Sequence, residues 1–132
     1  MDIERIGGSA PWETEYGYCR AVRAGDWVLV AGTTATGPSG VLNPGDAYGQ
    51  TKAAFTIALD ALRTAGVGAD RVVRTRMYVT DIADQSAVGR AHRELFGGHP
   101  PAAAMVQVGA LADPGHLVEV EVEAYAPPAL SG

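Results

Sequence analysis

The last apolar segment of the chain constrains the fold most strongly, because it alternates strictly between valine and glutamate. Residues 118–123 read Val-Glu-Val-Glu-Val-Glu. Successive side chains of a β-strand point to opposite faces, so this strand presents valines on one face and carboxylates on the other. The valine face requires a hydrophobic core. The carboxylates repel one another unless solvent, a basic strand or a neighbouring subunit offsets their charge.

A second segment carries the complementary pattern. In residues 72–79, the side chains of Arg74, Arg76 and Tyr78 share one face of a strand, and uncharged side chains occupy the other face. Two strands with matching apolar faces and opposite charges are favourable neighbours in a sheet. We therefore expect residues 72–79 to pair with the last strand, and we expect function on the charged face.

Composition limits the class of protein. The chain has 132 residues, of which 47% are hydrophobic and 19% charged, and this predicts a single globular domain over residues 1–132. Its net charge of −5 argues against general affinity for nucleic acid, because phosphate binding needs a basic surface. The N-terminus lacks an apolar signal core, and no stretch approaches the roughly 20 apolar residues of a membrane span. A cytoplasmic protein with no membrane partner is the expectation.

Periodicity and turn residues predict the order β-β-β-α-β-α-β-β. We expect strands at 3–7, 17–24, 26–34, 70–80, 102–110 and 117–126, helices at 46–65 and 84–96, and loops at 7–14 and 37–45. This order indicates an α+β fold, in which a six-stranded mixed sheet carries both helices on one face. The lone cysteine, Cys19, permits no internal disulfide and is predicted to be a small core residue.

Six short motifs between about Gly17 and Pro127 stand in a specific order and spacing. They are Gly17-Tyr18-Cys19-Arg20-Ala21-Val22, Trp27-Val28-Leu29-Val30-Ala31-Gly32-Thr33, Gln50, Val79-Thr80-Asp81-Ile82, Pro101-Ala102 and Val120-Glu121-Val122-Glu123-Ala124. This arrangement resembles the Rid (YjgF) family of small trimeric proteins with a chorismate-mutase-like fold. The resemblance implies a homotrimer that hydrolyses enamines and imines such as 2-aminoacrylate, with no metal or cofactor, at small-molecule sites between its subunits.

The resemblance also implies roles for particular residues. Tyr18 matches the family's pocket tyrosine, and Glu121 matches the glutamate that positions water or moves a proton. Gly32, with Thr33 beside it, matches the segment whose backbone lines the pocket. The residues alone leave other readings open: Glu121 as an ion-pair partner of Arg74 or Arg76, and Tyr18 as a packed interface tyrosine. Glu119 and Glu123 are expected to be structural or solvent-facing.

The departures from the family pattern concern the carboxylate anchor. Deaminase members carry an arginine two residues after the proline of the fifth strand, where this chain has Ala103. A pocket asparagine of the second helix is replaced by Gly89, and Met105 would make the site more apolar. Losing a bidentate arginine removes charge-assisted hydrogen bonds, so the predicted substrate is not the standard 2-aminoacrylate.

Two arginines are candidates for a replacement anion anchor. Arg20 is the first choice, because it follows Tyr18 by two residues on the same predicted strand face, and an ion pair with a strand carboxylate is the alternative. Arg90 is the second choice, and an ordinary surface arginine is its alternative. The histidines His92, His99 and His116 show no metal-ligand spacing, so no metal site is predicted.

Three functions remain open from the sequence. The first is a deaminase that uses Glu121 and Tyr18, with its ligand further held by Arg20 or Arg90. The second is a non-catalytic trimer that binds or senses a small metabolite, which the alanine at position 103 favours. RNA cleavage or translation inhibition, activities that the resemblance also implies, is the third and the least favoured, because the chain is acidic and shows no evident basic-aromatic patch.

Overall fold

The structure is a computed structural model that describes residues 2–127. The elements within these residues are β1 (Ile3–Ile6), α1 (Trp12–Tyr16), β2 (Ala21–Ala24), β3 (Trp27–Thr34), β4 (Thr36–Gly37), β5 (Gly40–Val41), α2 (Ala47–Thr64), β6 (Val72–Val79), α3 (Gln85–Phe96), β7 (Ala102–Gln107) and β8 (Val118–Tyr125). The domain predicted over residues 1–132 extends at both ends beyond the described residues.

Six of the strands form one mixed sheet in the order β1-β2-β3-β8-β6-β7. All neighbours in this sheet are antiparallel except β6 and β7, which run parallel. The predicted α+β fold class is therefore confirmed. The predicted pairing of residues 72–79 with the last strand is also confirmed, since Arg76 lies directly opposite Glu121.

The two long helices pack on one face of the sheet and close the core. The three valines of β8 are fully buried in the same cluster as Phe55 and Leu62 of α2. The side chain of Asp46 caps α2 by accepting a hydrogen bond from the Gly49 amide at 2.9 Å, as the sequence indicated. Both predicted helices are confirmed to within about one residue at each end.

Three local predictions were wrong. Residues 12–16 form the short helix α1 instead of a loop; a single turn with no buried residue leaves no periodic signal in the sequence. The loop at 37–45 contains part of the small β4–β5 hairpin. Residues 17–20 form a bend before β2, so Cys19 is partly exposed and not a core residue.

The sheet face opposite the helices is open in a single subunit and carries apolar side chains. Trp27 and Tyr125 pack edge to face with ring centroids 5.1 Å apart, and both are exposed. Leu29 is 43% exposed beside them, opposite Glu123 in the register. Such a patch suits burial against another subunit. Within residues 2–127, no helix is long and apolar enough to cross a bilayer.

Gln50 joins α2 to the segment that leads into β8. Its side chain is fully buried. The amide nitrogen donates to the carbonyl of Asn43 at 3.3 Å and to that of Gly115 at 3.0 Å, and the amide oxygen accepts from the Leu117 N–H at 2.9 Å. One side chain thus satisfies three backbone groups and fixes the β7–β8 loop against α2.

Replacing Gln50 with leucine should therefore destabilise the protein. Each buried group left without a partner costs about 1–3 kcal/mol, so we expect the free energy of unfolding to fall by about 3 kcal/mol or more. Urea denaturation measures this change. Gln85→Leu, at an exposed position of α3, is the matched control. A loss no larger than that of the control would contradict the role of Gln50.

A charge on the open sheet face tests the predicted self-association. Leu29→Glu would place a carboxylate opposite Glu123, so burying this face in an interface would become costly. We expect the variant to be monomeric in multi-angle light scattering. Ile82→Glu is the control, because Ile82 is equally exposed at 43% but lies in the turn before α3. An unchanged assembly in the Leu29 variant would exclude this face as the interface.

Candidate functional site

A β-bulge in β3 shapes the site. Val30 pairs with Val122 and Thr33 pairs with Val120, so two residues of β3, Ala31 and Gly32, lie opposite the single residue of β8 between those valines. A bulge of this kind bends a strand and leaves backbone groups outside the ladder. Those groups need other hydrogen-bond partners.

Arg20 supplies the partners for the bulge. Its Nη2 donates to the carbonyl oxygens of Ala31 at 2.8 Å and Gly32 at 2.9 Å, and to Oγ1 of Thr33 at 2.8 Å. The Thr33 hydroxyl in turn donates to the Ala31 carbonyl at 2.7 Å and is buried. An external anion at this nitrogen would have to compete with three oxygens. Arg20 therefore holds the wall of the site in shape.

Two adjoining cavities open at the bulge. One has a volume of about 720 Å³ and is lined by Trp12, Tyr16, Tyr18, Ala31, Gly32, Thr34, Thr36, Ala112, Asp113, His116 and Glu119. The other, of about 790 Å³, shares Tyr18 and Gly32 with it and extends over Arg20 and residues 8–13, which include the start of α1. The structure thus brings together three residues that the sequence singled out, Tyr18, Arg20 and Gly32.

The row of carboxylates on β8 is compensated unevenly. Arg76 donates from Nη1 to Oε2 of Glu123 at 2.5 Å, and the Tyr78 hydroxyl donates to Glu121. The directly opposite pairs are Arg76 with Glu121, 4.0 Å apart, and Tyr78 with Glu119. Arg76 and Tyr78 therefore each bond to the glutamate two residues further along β8 than the one directly opposite. This displacement leaves Glu119 without a partner from β6.

Glu121, the carboxylate predicted to handle water or protons, is one of the two compensated groups. Its hydrogen bond from Tyr78 is the main reason that the pKa of that tyrosine is raised. Its side chain is 35% exposed on the open sheet face and lines neither of the two cavities. The alternative of an ion-pair partner for Arg76 therefore has geometric support, and Tyr78 is a further partner that the sequence did not predict.

Glu119 lies inside the first cavity, over the bulge. A Cβ atom at Gly32 would collide with the Glu119 carboxylate, so glycine allows the close approach. Within residues 2–127, no donor forms a hydrogen bond with this carboxylate. Burial raises the pKa of Glu119, and the charge of Glu121 raises it further, whereas His116 and Arg20 act in the opposite direction. The ionised form thus costs folding stability above this raised pKa, and the cost vanishes at lower pH, where the unfolded chain is also protonated.

His116 forms the opposite wall of the first cavity. It is 7% exposed, and its Nε2 lies 2.9 Å from Oγ1 of Thr36, which lies 2.8 Å from Oγ1 of Thr34. Its Nδ1 is buried with no partner among the described residues. The loop that carries His116 is the one that Gln50 fixes to α2.

Four other residues singled out from the sequence lie elsewhere in the subunit. Gly89 and Arg90 are on α3, where the Arg90 guanidinium sits 4.1 Å from the ring centroid of Tyr48. Ala103 and Met105 are on the edge strand β7, opposite Thr75 and Met77. Those partners face the helices, so Ala103 and Met105 lie on the helix side of the sheet. A single subunit does not bring them near Tyr18.

The sequence did not mark Trp12, Tyr16, His116 or Glu119 as residues of the first cavity. Trp12, Tyr16 and Tyr18 place three aromatic side chains within seven positions, a cluster that could have been recognised. Nothing in the sequence distinguished Glu119 from the other two glutamates or marked His116. Within residues 2–127, no three His, Cys, Asp or Glu side chains are close enough together to hold a metal ion.

The chain is similar to known proteins over most of its length. The family model described as Endoribonuclease L-PSP matches residues 8–126. An uncharacterized protein of Streptomyces coelicolor is 45% identical over 93% of this chain and 92% of its own length. The 2-iminobutanoate/2-iminopropanoate deaminase of Capra hircus is 34% identical over 94% of this chain and 90% of its own.

A solved structure shows the same fold at similar identity. The crystal structure of a Mycobacterium tuberculosis member of the YjgF/YER057c/UK114 family superimposes with a TM-score of 0.86 at 42% identity, and the match covers 95% of this chain and 100% of that one. The chain therefore belongs to the Endoribonuclease L-PSP family, which is the Rid (YjgF) family that its motifs predicted.

Proposed function

We propose that this protein is a cofactor-independent hydrolytic deaminase of small enamine or imine metabolites. The observation that carries the proposal is the cavity at the bulge, which Tyr18, Gly32 and the Glu119 carboxylate line, with Glu121 opposite the bulge on the next strand, in a chain of this family. The deaminase name of the Capra hircus relative supports the reaction class. The reaction adds water to a C=N bond and releases a carbonyl product and ammonia.

The roles of the residues follow from this reaction. Water must lose a proton as it attacks the imine carbon, and the departing nitrogen must gain one, so a carboxylate that shuttles the proton accelerates both steps. We assign this role to Glu121, which lies opposite the bulge. Tyr18 donates or accepts a hydrogen bond to the substrate, and Gly32, with Thr33 behind it, leaves room for the substrate at the wall.

A complete site requires more than one subunit. The Tyr18 cavities and the α3–β7 residues Gly89, Arg90, Ala103 and Met105 lie in separate parts of one subunit. In a homotrimer, the second group of one subunit can face the first group of its neighbour. The open cavity mouth, where Tyr16 is 70% exposed, is consistent with a site completed by a neighbour.

The anchor for an anionic group is weak in this site. Ala103 carries no charge, Arg20 is bound to the bulge, and Arg90 is stacked on Tyr48. A substrate carboxylate would therefore lack a bidentate partner unless one of these arginines moved. We propose on this ground that the substrate is not 2-aminoacrylate.

The alternative is a trimer that binds a small metabolite without chemistry. The hydrogen bond between Tyr78 and Glu121 favours it, because a carboxylate held in the sheet is less available to water. The family description names an endoribonuclease. RNA cleavage gains little support here, since Arg20 is the only lysine or arginine among the described residues that line the two cavities.

Turnover by Glu121 variants tests the deaminase. We expect the protein to accelerate ammonia release from imines that an amine or amino-acid oxidase generates in the assay. Glu121→Gln should lower kcat about 100-fold or more, the usual share of general acid–base catalysis.

The control is Glu123→Gln, which removes a carboxylate from the same face that is bound to Arg76. Turnover that Glu121→Gln leaves unchanged would remove Glu121 from the mechanism. Saturable binding of the same imines or their stable analogues, with no ammonia above the buffer rate, would establish the binding protein instead.

A further inference from the structure

We infer that the cavity between α1 and the bulge binds an organic cation, a protonated amine or iminium without a carboxylate. The inference deepens the proposed function, because it names the charge class of the substrate for the same site. It rests on three features of the cavity: its one-sided charge, its aromatic mouth and its unpartnered carboxylate.

The lining that one subunit supplies to the cavity is acidic. Its ionisable lining residues are Asp113, His116 and Glu119 together with two tyrosines, and no lysine or arginine is among the described residues of the wall. The Asp113 carboxylate already accepts from the Gly115 N–H at 2.8 Å. Glu119 accepts no hydrogen bond from the described residues, so it is the more available of the two carboxylates for a ligand. The chain as a whole carries a net charge of −5, which adds to the attraction for cations.

The mouth of the cavity is aromatic. Trp12 is 52%, Tyr16 70% and Tyr18 40% exposed in the subunit. Faces of tryptophan and tyrosine rings attract organic cations, most strongly where water is excluded. A carboxylate at the floor and aromatic rings at the rim form a complementary pair of contacts for one ammonium or iminium group and its apolar substituent.

Other occupants fit the cavity less well. An apolar segment of a neighbouring subunit would cover the rings but leave the Glu119 carboxylate desolvated and unpaired, which is costly. An anion would meet the same carboxylate as a like charge. A cation offsets the charge and covers the rings at once. With its proton on Nε2 toward Thr36, His116 also offers Nδ1 as a buried acceptor for an N–H group.

In the proposed reaction, the nitrogen is cationic both in the substrate and in the product. An iminium R₂C=NH₂⁺ and water give the carbonyl R₂C=O and NH₄⁺. The water oxygen forms the new C=O bond, the C–N bond breaks, and both water protons end on the departing nitrogen. Glu119 can pair with the nitrogen in substrate and product, while Glu121 is left to move the protons.

Tryptophan fluorescence measures binding in this cavity directly. The chain has two tryptophans, so Trp27→Phe leaves Trp12, at the cavity mouth, as the sole reporter. We would titrate this variant at pH 7.5 with benzylammonium, benzyl alcohol and benzoate, which share a ring and differ in charge. Benzylammonium should bind saturably and at least about tenfold more tightly than the other two, which is the effect of one charge-assisted contact.

Two carboxylate variants identify the group responsible. Adding Glu119→Gln should weaken benzylammonium about tenfold and leave benzyl alcohol unchanged, whereas adding Glu123→Gln should change neither. The affinity of the parent variant should also fall as pH drops through the pKa of Glu119, which burial raises above the ordinary 4.5. All the variants compared keep the neighbouring charged or titratable groups, which are Glu121, His116, Arg20 and Asp113.

The outcomes separate this inference from the proposed function, because benzylammonium is not a substrate for hydrolysis. Benzoate that binds as tightly as benzylammonium, or a Glu119→Gln variant that keeps full affinity for the cation, would overturn the inference even if imine turnover is found. Selective cation binding without turnover in the imine assay would reject the deaminase and leave the cation site standing.

Discussion

The charges on β8 govern the organisation of this protein. The valines of that strand bury against the helices, and this forces three consecutive carboxylates onto the other face. Arg76 and Tyr78 on β6 compensate Glu123 and Glu121. The third carboxylate, Glu119, has no partner from β6 and lies over Gly32 in a cavity. This carboxylate links stability to function. Its desolvation in the cavity lowers the stability of the fold, and the same carboxylate is available to a ligand.

The rest of the site is built to hold that cavity open. Arg20 satisfies the carbonyls of the β3 bulge, so the bulge keeps a shape in which glycine faces the carboxylate. Gln50 fixes the loop that carries His116 and thereby sets the opposite wall. Neither residue needs to contact a substrate for its loss to affect the site. Arg20, which the sequence suggested as an anion anchor, instead stabilises the backbone of the bulge in this structure.

The sequence predicted the strands and helices that have a regular hydrophobic period, and it did not predict the contacts that depend on side-chain geometry. The alternation in β8 and the apolar stripe of α2 specified the sheet, its pairing and the helix layer, because long periodic elements bury one face. The short helix α1 has no such period. The sequence could not show that Glu119, and not Glu121, is the glutamate without a partner from β6. That outcome depends on Arg76 and Tyr78 each bonding two residues along β8 from the glutamate directly opposite. A bulge after Val30 likewise has no signature beyond its glycine.

The most direct measurement compares two imines, one of which carries a carboxylate where the other carries a methyl group. 2-Iminopropanoate and 2-iminopropane, each generated in the assay by oxidation of the matching amine, would be hydrolysed side by side at pH 7.5. If the unpaired Glu119 carboxylate selects the substrate, kcat/KM should favour the carboxylate-free imine by about tenfold or more, because the repulsion between two carboxylates is avoided. A preference for 2-iminopropanoate would mean that the protein supplies an anion anchor, and it would contradict a cation-selecting cavity.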